Sequence, residues 1–193
     1  MPSLDDNFQE LVLRLQQGRE LNYASFEPVY YLVFDPAFII EVKRRVPAWI
    51  ANLTHKGFHV VPFSIAEAID EILQNDQRRP LWLEMDRRNP LEWEKANQSL
   101  ANALTRPAQL QHLLEDAIGA AAQATNGIVL VTDLEALHPY LRIGAIEGNI
   151  QGRFSVPTIF LYPGFRSGKT RLSFLGFYPE DGNYRSVHVG RTL

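Results

Sequence analysis

Seven residues, Gly164-Phe165-Arg166-Ser167-Gly168-Lys169-Thr170, follow an apolar run and carry the letters of a phosphate-binding loop. Such a loop is a strand, then G-x-x-x-x-G-K-[ST], then a helix, so that backbone amides and a helix N-terminus converge on phosphates. Only three residues separate Gly164 from Gly168, one fewer than that turn requires. Downstream, Arg171-Leu172-Ser173-Phe174-Leu175-Gly176 has no helical face and is rich in strand formers. Residues 179–183 are a turn cluster, and Tyr184–Val189 has strand character again. The stretch from Ile159 to Val189 therefore reads as a three-strand meander. Its first turn is Pro163–Lys169, with Lys169 in solvent, and it is not a nucleotide loop.

Asp35 and Asp133 are the next candidates, because each ends an expected strand, Val29–Phe34 and Ile128–Thr132. Ligands of open α/β sheets bind outside the carboxyl ends of strands. The two carboxylates could thus share a magnesium ion in a degenerate nucleotide-binding or hydrolytic domain. Alternatively, each caps the helix that follows, which capping preferences favour. The histidines, His55, His59, His112, His138 and His188, share no helical face of the kind that binds zinc. No G-x-S-x-G elbow occurs, and Ser64, Ser155 and Ser167 read as cap and loop residues. The absence of cysteine excludes disulfides, thiolate chemistry and Cys-ligated metals. These residues assemble no catalytic set, so a non-enzyme without cofactor, metal or small-molecule substrate is expected.

The elements that must carry these residues follow from periodicity and caps. Leu4, Phe8, Leu11, Val12 and Leu15 form a helical face, with Ser3 and Asp6 at its start and Gly18 as its stop. After strand Val29–Phe34, Asp35-Pro36 opens a second helix running to Leu53, in which Pro47 predicts a kink. Strand Phe58–Phe63 leads into a helix capped by Ser64 and Glu67. Residues 75–105 are the least regular part, with a helix expected to start near Pro90. A clearer helix spans Pro107 to Thr125 and ends at Asn126-Gly127. A short helix from His138-Pro139 to about Ile150 precedes strand Thr158–Tyr162. This alternation predicts one α/β domain over residues 1–193, a three-layer sandwich. Its central sheet is largely parallel, Rossmann-like or P-loop-like without a functional P-loop, and it ends in the C-terminal meander.

Two features point to recognition of another protein. Arg142 in His138-Pro139-Tyr140-Leu141-Arg142 stands one turn into the expected helix beside aromatic and apolar residues. It is either an interface hot spot or half of an internal ion pair with Asp133 or Glu147. The meander holds Phe160, Tyr162, Phe165, Phe174, Phe177, Tyr178 and Tyr184, more aromatics than one face can bury. An exposed Tyr/Phe/Arg patch has the composition of a protein-binding surface.

Composition narrows the partners. The chain is 46% hydrophobic and 21% charged over 193 residues, as expected of a globular protein. Lys and Arg number 19 against 22 Asp and Glu, a net charge of −3. That balance lacks the basic stripe of a duplex-binding protein, so direct nucleic-acid binding as a DNA accessory is disfavoured. The N-terminus is acidic and amphipathic, unlike a signal peptide, and no apolar run approaches the ~20 residues of a membrane span. A cytoplasmic protein without a membrane partner is expected.

With these residues in view, 128–189 resembles the BrxB family of bacterial phage-exclusion (BREX) systems. The resemblance is carried by His138-Pro139-Tyr140-Leu141-Arg142, Asn149, Val156-Pro157, Tyr162-Pro163-Gly164, Leu172-Ser173-Phe174-Leu175-Gly176 and Asn183-Tyr184-Arg185. The N-terminal part agrees more loosely, and Lys169 and the divergent residues 76–105 depart from the family pattern. The resemblance implies a component of a multi-protein defence system that methylates host DNA and blocks phage replication. It implies no catalytic residue, and it implies an adaptor working beside a PglZ-type alkaline-phosphatase-like protein, a methyltransferase and an ATPase. On that reading Tyr140, Arg142, Tyr162, Phe165, Tyr184 and Arg185 form the protein-interaction surface.

Overall fold

Near-continuous apolar strands demand cover on both faces, and they receive it. β1 (Val29–Phe34), β3 (Gly127–Thr132) and the first part of β4 (Thr158–Ser167) are buried almost throughout. The computed structural model describes residues 3–17, 28–105, 108–168, 171–180 and 186–190. In it, β2 (His59–Ser64), β3, β4, β1 and β6 (Val187–Gly190) lie side by side in that order, every pairing parallel. β5 (Arg171–Phe174) runs antiparallel to the last four residues of β4.

Side chains alternate between the two faces, as strand geometry requires. Tyr30, Leu32, Phe34, Ile128, Leu130, Ile159 and Leu161 meet α1 (Leu4–Gln17) and α2 (Ile39–His55). Their neighbours Tyr31, Val33, Val129, Val131 and Phe160 meet α3 (Ile65–Asn75), α5 (Trp93–Thr105), α6 (Gln109–Ala122) and α7 (Ile143–Asn149). Phe8 stacks on Trp49 with centroids 4.7 Å apart, tying α1 to α2. The result is the expected α/β architecture with a parallel central sheet.

Local signals place several starts correctly. The Ser3 hydroxyl accepts from the Asp6 amide at 3.1 Å, and the Asp6 carboxylate accepts from the Ser3 amide at 2.8 Å. Asp35 caps a 3-10 turn, Pro36–Phe38, accepting from the Ala37 amide at 2.9 Å. Ser64 caps α3 through the Glu67 amide at 3.2 Å.

Five expectations need correction. Residues 75–105 are regular: α4 (Arg79–Arg88) and α5 form a helical pair, clamped where the buried Trp82 indole donates to Ser99 Oγ at 2.8 Å. The predicted turn Pro163–Lys169 is strand up to Ser167. Gly164 permits this, because a Cβ there would stand 2.2 Å from the Ser173 carbonyl oxygen on β5. The third strand of the meander does not pair with β5. β6 crosses to the far side of β1, where Val187 and Val189 join the core beneath α1 and α2. The helix expected from His138 starts later, at Ile143, after a 3-10 turn Leu134–Leu137 and a cis His138–Pro139 bond. Asp133 makes no side-chain cap and stands in the left-handed region, φ 60°.

Candidate functional site

The chain after β1 enters α2 on one face, while the connections after β2 and β3 enter helices on the other. That divergence falls at the carboxyl edge, the place where ligands of open α/β sheets bind. Here Lys43 of α2 reaches over the edge and pairs with Asp133 and Glu135, 2.6 Å from each. Asp133 also accepts hydrogen bonds from Ser64 Oγ and Thr132 Oγ1, both at 2.8 Å. Burial pushes its carboxyl up, but the hydrogen bonds from Lys43, Thr132 and Ser64 outweigh that and hold it below the ordinary carboxylate range. Burial works against the Lys43 ammonium, and its two acids still raise it above the ordinary lysine value. Both partners are therefore charged at neutral pH.

This arrangement bears directly on the magnesium reading of Asp35 and Asp133. β4 lies between the strands that carry them. With strands ~4.8 Å apart, the two main-chain positions are on the order of 10 Å apart. Each aspartate has its own work, Asp35 as a cap and Asp133 as the counter-charge of Lys43. The place a cation would take beside Asp133 is filled by the chain's own ammonium. No cluster of three or more metal-capable side chains occurs among the described residues.

The second place is the turn that leaves β5. Leu175 (φ 54°) and Gly176 (φ 77°) are both left-handed, reversing the chain in two residues. A leucine in that region is strained by about 1 kcal/mol, so surrounding bonds must hold it. The Leu175 amide donates to the Pro163 carbonyl at 2.9 Å, and the Tyr178 amide donates to the Phe174 carbonyl at 3.2 Å. Ser173 Oγ donates to the Tyr178 carbonyl at 2.9 Å. This braced turn leaves the Phe177 side chain 64% exposed and Tyr178 half-buried.

Other elements converge on the turn. His138 Nδ1 lies 2.5 Å from the Tyr178 hydroxyl, and its ring meets Phe177 edge-on at 5.4 Å. The Arg142 guanidinium lies over the Tyr178 ring, 4.7 Å from its centroid. Of the two carboxylates considered for Arg142, Asp133 is taken by Lys43 and Glu147 accepts from the buried Tyr31 hydroxyl. Among the described residues, no hydrogen bond or ion pair reaches the Arg142 guanidinium.

The remaining expected surface residues divide. Tyr140 is half-buried against the core beside the cluster. Phe165 is half-buried beneath the turn, its ring so close to Gly176 that a Cβ there would be 2.7 Å away. Tyr162 is 1% exposed, between Tyr31 and Phe174, and belongs to the core instead of the surface. Tyr184 and Arg185 lie outside the described residues, as does Lys169. Lys43 had no signal in sequence beyond its place near the start of α2. Phe177 and Tyr178 were visible only as members of an aromatic excess.

These features define an open, parallel-sheet α/β protein whose carboxyl edge is bridged by its own ion cluster and whose surface chemistry is an aromatic–arginine patch. The family model described as BREX protein BrxB matches residues 62–189, the larger part of the chain. The chain belongs to that family, and with it to BREX phage defence in bacteria. No curated protein and no solved structure matches the chain. No described helix is long and apolar enough to cross a membrane.

Proposed function

We propose that this protein is a non-catalytic adaptor of a cytoplasmic BREX assembly, holding a PglZ-type protein through the patch formed by Phe177, Tyr178, His138, Tyr140 and Arg142. The observation that carries this reading is the exposed Phe177 presented on a braced turn beside an arginine that lies over Tyr178. Tyr, Phe and Arg on a rigid mount are the residue types that concentrate binding energy at interfaces. The Lys43 bridge across the sheet edge supports a binding role over a hydrolytic one.

The test is co-purification from cells expressing the whole operon, with a tag on this chain. Phe177→Asp and Arg142→Glu change the patch without touching the sheet. Both are expected to lose the PglZ-type protein and phage protection while keeping the wild-type melting temperature. Unchanged retention and protection in both well-folded variants would overturn the proposed surface.

A further inference from the structure

We infer that the Arg142–Tyr178–Phe177 patch is a carboxylate receptor that takes an acidic segment of a protein partner. One aspartate or glutamate side chain sits on the edge of the Arg142 guanidinium, and a neighbouring apolar side chain rests on Phe177. The inference rests on the adaptor reading only in taking the occupant to be a protein.

The guanidinium is a planar fork of five N–H donors that matches a carboxylate bidentately. At Arg142 the guanidinium carbon lies 4.7 Å from the Tyr178 ring centroid, and its N–H donors meet no acceptor among the described residues. The ring beneath the fork is also held in place. Tyr178 is fixed at its hydroxyl by His138 and at its carbonyl by Ser173, so little freedom remains to be lost when a carboxylate docks. A half-buried arginine held this way loses less to solvent screening than one at the end of a free side chain.

Charge complementarity names the occupant. Among the described residues, Asp133 and Glu135 pair with Lys43, Glu147 accepts from Tyr31, Glu180 pairs with Arg171 at 3.6 Å, and none of them meets Arg142. Among the described residues Arg142 has no carboxylate partner, and the phenyl ring of Phe177 on the same turn is exposed. A phosphate backbone would offer the anion, but it would also bring a continuous negative strand against a chain of net charge −3. An acidic residue next to an apolar one in a protein segment satisfies both halves of the patch.

The test measures fluorescence polarisation of the full chain with three labelled probes at low salt. They are a peptide amide of alternating aspartate and leucine, its asparagine–leucine counterpart, and an oligothymidine. The acidic peptide should bind at least tenfold more tightly than the asparagine peptide and more tightly than the oligothymidine. Arg142→Lys, which keeps the charge but loses the planar fork, should weaken the acidic peptide at least tenfold without moving the melting temperature. In the wild-type protein, the Arg142 Nε–H resonance should shift on titration with that peptide, a readout that needs no variant to fold. Equal binding of the two peptides, tighter oligothymidine binding, or an unmoved Arg142 resonance would each overturn the inference. If the peptide result holds while the PglZ-type protein is not retained, the carboxylate site stands and the partner assignment falls. If retention holds and Arg142→Lys binds the peptide as wild type does, the site falls and the adaptor reading stands.

Discussion

Lys43 Nζ and Asp133 Oδ1 meet 2.6 Å apart across the carboxyl edge of the sheet, joining a helix on one face to the end of a strand whose following chain turns to the other. Asp133→Asn should cost about 1–2 kcal/mol, since Lys43 keeps Glu135 and two hydroxyls lose a charged acceptor. The acid limb of the stability profile should flatten with it. The Asp133 carboxyl is depressed in the fold, so its contribution is present above its unfolded value of 3.8 and is lost as pH falls below that towards the folded value. Thermal melts from pH 7 to pH 2.5 on both proteins check this. A rise in the wild-type melting temperature on adding magnesium would contradict the view that Lys43 fills the cation position.

His188 should make the protein acid-sensitive in a different window. It is buried beneath Tyr31, and burial, with the nearby Arg166 charge, lowers its pKa from 6.5 to about 4. The unfolded chain therefore binds a proton between about pH 6.5 and pH 4 that the folded chain refuses. The folded state is fully favoured above pH 6.5 and loses up to about 3 kcal/mol as pH falls to 4. In His188→Gln, urea titrations at pH 7 and pH 4.5 should differ less than in wild type.

Gly164 should tolerate no side chain. A Cβ there would fall 2.2 Å from the Ser173 carbonyl oxygen and 2.6 Å from the Tyr162 ring. Gly164→Ala should cost about 3 kcal/mol and separate β5 from β4. Faster amide exchange at Leu172 and Phe174, with unchanged protection in β1 and β3, is the expected signature.

Trp82 should be the hinge pin of the α4–α5 pair. Trp82→Phe loses the bond to Ser99, part of the buried ring and some of the Arg78 contact, about 1–2 kcal/mol, whereas Trp82→Ala empties the site and should cost about 3–5 kcal/mol. The alanine variant should lose helical circular dichroism in a transition preceding the main melt, with the sheet still intact.

Much of the frame was legible because its signals are local. Ser3 with Asp6, Asp35 with Pro36, and Ser64 with Glu67 marked helix starts from side chains within a few residues of the bonds they make. The α4–α5 pair escaped notice because Trp82 is the one buried residue of α4 and Leu81 and Leu83 beside it are exposed, which erases the helical period. Tyr162 and Phe177 carry the same aromatic character in the sequence, yet one is core and the other surface.

From the sequence alone came the alternating α/β layout, the rejection of the phosphate loop at Gly164–Thr170, and the family resemblance in residues 128–189. Only the tertiary structure decided that β6 lies beside β1, that Lys43 pairs with Asp133, and that Arg142 rests on Tyr178 instead of on an acid. The difference is physical. Caps and periodicity are set by neighbours along the chain, whereas strand order and the partner of a charge depend on which distant surfaces are buried together.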